Sequence, residues 1–126
     1  LDCSAFTALV VDDNLLNIKV AKRLLEGYNL NVESYTAGKD CVYKIKEGVK
    51  YDAIFMDHMM PEMDGIETLH VLKKLDGYDL PPIIALTANA VAGMKEMYLA
   101  EGFDDYLSKP INAAELDRVM NKYFNK

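Results

Sequence analysis

Short apolar runs alternate with longer amphipathic segments along the whole of this sequence. A run of apolar and β-branched residues that stops abruptly at a polar residue is typical of a buried strand. A short stretch in which apolar and polar residues alternate is typical of a half-buried strand. These patterns predict five strands, at residues 5–11, 31–35, 53–56, 83–86 and 105–107.

The segments between these strands carry apolar residues at every third or fourth position, which predicts amphipathic helices. Asp64 and Asn112 are suitable caps for the starts of two of them, because their side chains can accept hydrogen bonds from free backbone N–H groups. The five predicted helices cover residues 15–28, 38–50, 64 to about 77, 90–100 and 112 to about 124.

The pattern predicts which residues of the first helix face outward and how rigid the fourth helix is. Leu15 points away from the inward face of the first helix and is expected to be exposed. Gly93 lies inside the predicted fourth helix, where glycine costs about 1 kcal/mol relative to alanine, so we expect this helix to be less rigid than its neighbours. The inward face of the first helix is predicted to consist of Val20, Ala21, Leu24, Leu25 and Tyr28.

The alternation of five strands with five helices predicts an α/β fold. Such a pattern is typical of a doubly wound parallel sheet that is covered by helices on both faces. The chain has 126 residues, which fits a single domain spanning residues 1–126, and it contains no internal repeat and no low-complexity linker.

Composition and charge narrow the classes of function. The formal net charge of −6 argues against direct nucleic-acid binding, which needs clustered lysine and arginine. No apolar run approaches the roughly 20 residues of a membrane span. Cys3 and Cys41 have no metal-binding spacing, so a reduced chain in the cytoplasm is expected. Because the first residue is Leu rather than Met, a segment of a longer protein is one expectation for the chain.

Polar side chains stand at the ends of four of the five predicted strands. Asp12 and Asp13 follow the first strand, Asp57 follows the third, Thr87 the fourth, and Lys109 lies just after the fifth. The ends of parallel strands meet at one edge of the sheet, where open α/β proteins bind their ligands at the point of reversed strand order. We therefore expect these side chains to gather in one crevice.

The charges in this crevice restrict what it can bind. Two like charges about 4 Å apart repel by about 4 kcal/mol at an effective dielectric constant of about 20, so three carboxylates need more counter-charge than Lys109 supplies. A divalent cation would provide it, and hard oxygen ligands without a His or Cys cluster favour Mg²⁺ or Mn²⁺ over zinc. With the cation bound, the crevice would be suited to a phosphoryl group, because the cation and Lys109 would neutralise its charge and Thr87 would donate a hydrogen bond to it. A carboxylate would attack the phosphoryl group as the nucleophile.

Four motifs in the sequence resemble the receiver domain of two-component response regulators: VDDN at 11–14, FMDHMMPEMDG at 55–65, LTA at 86–88 and YLSKP at 106–110. The resemblance covers the whole chain, with the motifs in order and at the usual separations. It implies a flavodoxin-like, five-stranded sheet of order 2-1-3-4-5. The tract His58-Met59-Met60 is most similar to receivers attached to hybrid histidine kinases.

The resemblance also implies roles for the acidic residues. Asp57 would be the phospho-acceptor and would take its phosphoryl group from the phosphohistidine of a histidine kinase or histidine phosphotransfer domain. Asp13 and Asp57 would bind Mg²⁺ directly, Asp12 directly or through water, and Met59 through its backbone carbonyl. Met59 and Asn89 occupy positions that tune dephosphorylation in this family.

The remaining roles concern the switch. Lys109 would contact the phosphoryl oxygens, and the Lys109–Pro110 peptide bond would be cis. Thr87 would move toward the acyl phosphate and Tyr106 would turn inward behind it, which would remodel the face made by the fourth helix, fifth strand and fifth helix. Receivers catalyse their own phosphorylation and dephosphorylation, and some are parts of histidine kinases, so the sequence leaves open whether the whole protein is an enzyme.

Simpler interpretations exist for each residue taken alone. Asp12 and Asp13 could cap a helix, Thr87 could be an ordinary hydroxyl at a strand end, and Tyr106 could be a packing residue. His58 and His70 are expected to be surface or packing residues. These interpretations become weak once the acids and the lysine are considered as one set.

Four other functions are alternatives to a receiver in a hybrid kinase or multidomain regulator. A stand-alone response regulator acting by protein–protein contact remains open. A flavodoxin-like FMN-binding module would need a loop rich in Ser, Thr and Gly where Asp12 and Asp13 stand. An aspartate-nucleophile phosphatase would need a second acid where Met59 stands. A scaffold that has lost phosphorylation would not need the intact acids, Thr87 and Lys109.

Overall fold

The computed structural model describes residues 1–88 and 93–125. Strands and helices alternate through the described residues, as the hydrophobic pattern predicts. The strands are β1 (Thr7–Val11), β2 (Asn31–Tyr35), β3 (Ala53–Asp57), β4 (Ile83–Thr87) and β5 (Asp105–Ser108). The helices are α1 (Leu15–Glu26), α2 (Gly38–Lys46), α3 (Gly65–Lys73), α4 (Met94–Glu101) and α5 (Ala113–Phe124).

The strands form one parallel sheet of order β2-β1-β3-β4-β5, which confirms the predicted fold class and strand order. Its register aligns the strand ends: Val11 of β1 lies opposite Met56 of β3, Asp57 opposite Leu86 of β4, and Thr87 opposite Ser108 of β5. The carboxyl ends of the four strands that carry the polar residues are therefore level at one edge.

Two hydrophobic clusters cover the two faces of the sheet. One contains the inward residues of α1 and α5, including Leu25, Leu116 and Met120, against side chains such as Phe55 and Ile84. The other contains inward residues of α2, α3 and α4, including Ile45, Leu72 and Tyr98. The central strands β3 and β4 are buried along their whole length because helices lie on both sides of them. No helix in the described parts of the chain is long and apolar enough to cross a membrane.

The inward face of α1 differs in part from the prediction. Ala21 and Leu25 are buried and Leu15 is 72% exposed, as expected. Val20 was predicted to face inward and is instead 44% exposed, while Ile18 is buried. Ile18, Ala21 and Leu25 follow the spacing of three and four residues that defines one helix face, and Val20 lies off that line.

Helix α4 also departs from the prediction. Gly93 is not inside the helix but directly precedes it, as the N-cap residue of α4, with φ of 90°. A side chain would be strained in this left-handed conformation, which glycine adopts freely. The expectation of a helix weakened internally by Gly93 is therefore wrong, and the predicted helical residues 90–92 lie outside the described residues.

An ion pair anchors the start of β5 to α5. The Asp105 carboxylate is buried and accepts two hydrogen bonds from the Arg118 guanidinium, at 3.0 and 3.1 Å. It also accepts the backbone N–H of Tyr106 at 2.8 Å, and Lys122 lies 3.5 Å away. Burial acts to raise the pKa of Asp105, but the Arg118 and Tyr106 hydrogen bonds outweigh it and hold the pKa below its usual value.

The ion pair yields a test of stability. Arg118→Met should lower the free energy of unfolding by about 1–3 kcal/mol at pH 7, because it leaves a buried carboxylate short of hydrogen-bond donors. Since the folded-state pKa of Asp105 is lowered, the pair stabilises the protein above about pH 4 and is lost as the pH falls through the folded pKa. Urea unfolding followed by circular dichroism should thus show a smaller difference from the wild-type protein near pH 3. Arg23→Met, at an exposed position of α1, is the matched control, and a difference that persists undiminished at low pH would contradict this account.

Candidate phosphoryl-transfer site

Three acids meet at the carboxyl edge of the sheet. Asp57 is the last residue of β3 and Asp12 directly follows β1, and both are buried, at 3% and 1% exposure. Asp13 is the exposed member of the group. One carboxylate oxygen from each of these residues lies within 4.8 Å of the others. The juxtaposition follows from the register, because β1 and β3 are neighbours in the sheet.

Lys109 reaches into this acidic group from the end of β5. Its Nζ donates to Asp57 Oδ1 at 2.8 Å and to Asp12 Oδ2 at 3.3 Å. The other oxygen of Asp12 accepts the backbone N–H of Asn14 at 2.9 Å, which fixes the orientation of that carboxylate. The structure thus brings together the three acids and the lysine that the strand ends predicted.

The protonation of the central pair reflects burial and neighbouring charges. Burial raises the pKa of Asp57, Asp12 and Asp13 raise it further, and the Lys109 hydrogen bond only partly opposes this, so the net direction is upward. Burial acts to lower the pKa of Lys109, but the hydrogen bond and charge of Asp57 outweigh it and the pKa is raised. Asp57 is therefore a carboxylate whose negative charge is costly until more positive charge is present.

The backbone around Lys109 sets its approach to the acids. The Lys109 N–H donates to the carbonyl oxygen of Thr87 at 2.7 Å, which continues the β4–β5 pairing by one residue. The peptide bond between Lys109 and Pro110 is cis. The backbone hydrogen bond to Thr87 holds the lysine beside the end of β4, with its side chain directed at Asp57.

Thr87 is buried at the end of β4 and makes a contact that the sequence did not suggest. The hydroxyl of Tyr98, from α4, donates to Thr87 Oγ1 at 2.9 Å, and His58 Nδ1 lies 2.8 Å from the same tyrosine oxygen. Tyr98 was absent from the predicted site, although a tyrosine on the apolar face of a helix usually needs a partner for its hydroxyl. His58 was expected to be a surface or packing residue and is half-buried.

Two other predicted residues, Tyr106 and Met59, belong to the described part of the chain. Tyr106 is half-buried on β5, opposite Ala85 of β4, and packs against the cluster that contains Tyr98. The side chain of Met59 is exposed. Asn89 lies outside the described residues.

A close contact between the start of α3 and the end of β3 constrains the backbone of Asp57. The Gly65 N–H donates to the carbonyl oxygen of His58 at 2.8 Å. A Cβ atom at Gly65 would overlap the carbonyl oxygen of Asp57, so only glycine fits without a shift. Asp64 and Glu67 fix this end of α3 by a reciprocal capping box.

The strand order and paired helix layers define a flavodoxin-like α/β protein. Residues 8–121 match the model of the response regulator receiver domain. The chain belongs to this family, and it is therefore a phosphorelay receiver domain of the kind found in hybrid histidine kinases and response regulators.

Curated and solved proteins agree with this assignment. The signal transduction histidine-protein kinase BarA of Escherichia coli K12 is 40% identical over 119 residues, which cover 94% of this chain and 13% of BarA. The receiver domain of sensor histidine kinase PA1611 from Pseudomonas aeruginosa, whose structure has magnesium coordinated in the active site cleft, superposes with a TM-score of 0.82 at 35% identity, covering 96% of this chain and 98% of that one.

A third similar structure is a complex. It contains the Saccharomyces cerevisiae histidine phosphotransfer protein Ypd1 and the receiver domain of the response regulator Ssk1. The matching chain has a TM-score of 0.78 at 27% identity, and the match covers 94% of this chain and 88% of that one.

The contact at Gly65 gives a prediction for the support of the site. Gly65→Ala should lower the free energy of unfolding by about 1–3 kcal/mol, because the new methyl group has to displace backbone at Asp57 or His58. Urea unfolding measures this effect. Gly27→Ala, at the right-handed C-cap of α1, is the matched control and should cost less. Equal costs at the two positions would show that the Gly65 contact does not constrain the backbone of Asp57.

Proposed function

We propose that Asp57 accepts a phosphoryl group from a phosphohistidine and that residues 1–126 act as one switch domain in a phosphorelay. The observation that carries this proposal is the position of the Asp57 carboxylate, 2.8 Å from the Lys109 ammonium and within 4.8 Å of two further carboxylates. A nucleophile, a fixed positive charge and oxygen ligands for a cation are the parts that phosphoryl transfer to a carboxylate requires.

The transfer is a substitution at phosphorus. A carboxylate oxygen of Asp57 attacks the phosphorus atom, the P–N bond to the donor histidine breaks, and the electron pair returns to the imidazole ring. Lys109 neutralises charge on the phosphoryl oxygens, and the Thr87 hydroxyl donates a hydrogen bond to one of them. Water later attacks the acyl phosphate, which releases inorganic phosphate and restores the Asp57 carboxylate.

Mg²⁺ or Mn²⁺ fits the acidic group. The ligands offered are hard carboxylate oxygens, two of them from buried residues, and their combined charge exceeds the single charge of Lys109. Asp12, Asp13 and Asp57 would hold the cation together with the backbone carbonyl of Met59. When bound, it supplies positive charge for the carboxylates and the phosphoryl oxygens.

The proposed readout of phosphorylation uses Thr87 and Tyr106. Thr87 moves toward the acyl phosphate and Tyr106 turns inward behind it, which shifts the population of conformers of the α4–β5–α5 face. Two observations support this: Tyr106 is half-buried two residues before Ser108, and Ser108 pairs with Thr87 across β4 and β5.

Labelling with a small phosphodonor tests the nucleophile and the cation. Acetyl phosphate with Mg²⁺ should add the mass of one phosphoryl group to the wild-type protein, and EDTA should abolish the addition. Asp57→Asn should abolish it too, because an amide is not a nucleophile here, and Asp13→Asn should weaken it greatly. Asp76→Asn, an exposed aspartate after α3, is the matched control. An adduct that survives Asp57→Asn, or labelling that needs no metal, would refute the corresponding part of the proposal.

An apolar groove beside the site is the proposed docking surface for the phosphohistidine donor. It runs between α1 and the loop after β5, and Asp12 and Lys109 contribute to its lining. Its apolar wall includes Leu16, which is 67% exposed, and Val20. A histidine that reaches Asp57 must bring its own domain against this rim, and exposed apolar side chains there suit a protein partner. The donor is a histidine kinase or a histidine phosphotransfer domain.

A charged residue in the groove should separate docking from chemistry. Leu16→Glu should slow transfer from a phosphorylated histidine phosphotransfer domain at least tenfold, since it places a charge in an apolar contact. Labelling by acetyl phosphate should not change. Tyr43→Glu, at an exposed position of α2, is the matched control. Equal loss with both donors would mean that Leu16 affects the site itself and not docking.

The relatives support a proposal for the molecular context of the chain. We propose that the chain is the receiver segment of a cytoplasmic hybrid sensor histidine kinase or multidomain response regulator, on the basis of its 40% identity to part of BarA. A stand-alone response regulator is the alternative. The full-length gene would distinguish the two.

A further inference from the structure

The start of α3 is in close contact with the start of α2 as well as with β3. Gly38 is the first residue of α2 and Thr68 is the fourth residue of α3, and both are buried. A Cβ atom at Gly38 would overlap Thr68 Oγ1 and would lie 3.1 Å from each of Thr68 Cβ and Cγ2. Gly38 therefore lets α2 approach α3 more closely than a residue with a side chain would permit.

Thr68 is bonded to the residue that caps α3. Its Oγ1 donates to the carbonyl oxygen of Asp64 at 2.8 Å, and its backbone N–H donates to the same oxygen at 2.9 Å. Asp64 is the N-cap residue of α3 and exchanges hydrogen bonds with Glu67 in the capping box. These hydrogen bonds leave the first turn of α3 little freedom to deform.

The same turn also contacts the backbone of the proposed nucleophile. Gly65 lies three residues before Thr68, a spacing that places two residues on one face of a helix. The Gly65 N–H donates to the His58 carbonyl oxygen at 2.8 Å, and a Cβ atom at Gly65 would overlap the carbonyl oxygen of Asp57. The first turn of α3 therefore contacts α2 through Thr68 and β3 through Gly65, with glycine at both contacts.

The position of the Asp57 carboxylate is set within a narrow space. Its Oδ1 accepts from Lys109 Nζ at 2.8 Å, and one oxygen from each of the three acids lies within 4.8 Å of the others. Transfer reactions depend steeply on such distances, since a misplacement of about 1 Å caused by a change far from the chemistry can cost about a hundredfold in rate. A small displacement of the Asp57 backbone should therefore be measurable as slower transfer.

We propose that Gly38 and Thr68 are positioning residues for the transfer to Asp57, because they set the spacing between α2 and the first turn of α3. Gly65 transmits this spacing to the backbone of Asp57, and so to the position of its carboxylate beside Lys109. This inference rests on the proposed function of Asp57.

An added methyl group at the contact with α2 tests the proposal. Gly38→Ala should displace the first turn of α3 and slow labelling by acetyl phosphate about tenfold, less than a misplacement of about 1 Å would cause. Circular dichroism should show that this variant is folded under the labelling conditions. Gly27→Ala, which adds a methyl group at the C-cap of α1, is the matched control and should be labelled at the wild-type rate. An unchanged rate in folded Gly38→Ala would overturn the proposal.

A second substitution distinguishes spacing from general destabilisation. Thr68→Ala removes Oγ1 and Cγ2, two of the three atoms that the new methyl group meets, and should restore most of the labelling rate to Gly38→Ala. The same substitution should not restore labelling to Gly65→Ala, because there the obstacle is the backbone of Asp57 and His58. Rescue of both variants, or of neither, would contradict the proposal.

A milder pair of variants covers the case in which Gly38→Ala does not fold. Thr68→Val puts a methyl group against Gly38 in place of the hydroxyl and removes the hydrogen bond to Asp64, so it should slow labelling. Thr68→Ser keeps that hydrogen bond and should be labelled close to the wild-type rate. Equal labelling rates for the two variants would count against the proposed role of Thr68.

Nuclear magnetic resonance detects the contact without any phosphorylation. The amide resonance of Gly65, whose N–H donates to the His58 carbonyl oxygen, should shift in Gly38→Ala. It should return toward the wild-type position when Thr68→Ala is added. An unchanged resonance would mean that the spacing at α2 does not reach Asp57, and the proposal would fail. If acetyl phosphate did not label the wild-type protein, the proposed function would fail instead and this readout would remain measurable.

Discussion

Lys109 and the carboxylates it contacts form the interaction around which the rest of the site is arranged. Asp12 and Asp57 are both nearly inaccessible to solvent, and water therefore does little to stabilise their charges. The single ammonium reduces their repulsion without cancelling it, which is why burial and the neighbouring acids still raise the pKa of Asp57. A site in this condition favours the arrival of positive charge, and the phosphoryl transfer that we propose for Asp57 would depend on that preference.

The parallel sheet is the reason that this charge arrangement can be built at all. Strands β1, β3 and β4 are buried along most of their length, and the parallel strands deliver their last residues to the same edge. Acids from β1 and β3 and the lysine after β5 therefore meet there. The helices contribute differently. Asn14 caps α1 beside Asp12, and Gly65 lets the start of α3 approach the backbone of Asp57 closely.

The sequence predicted the elements and site residues that a pattern of neighbouring residues reveals. The strands were visible because each apolar run stops at a polar residue, and the shared edge of a parallel sheet then brought Asp12, Asp57 and Lys109 into one group. Val20 was wrongly predicted to be buried, because neighbouring apolar positions leave the exact direction of a helix face undetermined. Gly93 was misplaced because a sequence does not reveal a positive φ.

Tyr98 was missing from the predicted site for a different reason. Its hydroxyl meets Thr87 and His58 only because α4 packs over the end of β4, a tertiary contact with no signature in the neighbouring sequence. Local patterns can identify a residue that must be inward, but not the partner that its polar atom will find.

The order of the site residues along the chain has a consequence for how the protein folds. Lys109 lies 97 residues after Asp12 and 52 after Asp57. A ribosome therefore releases the acids well before their counter-charge, and the half-built sheet must carry an unbalanced negative cluster until β5 adds to its edge. Contacts so distant in sequence form late, because closing the long intervening loops is costly in entropy. The capacity to accept a phosphoryl group that we propose for Asp57 would consequently belong to the finished fold alone, and a chain that stops before β5 would hold this carboxylate in place without the ammonium of Lys109.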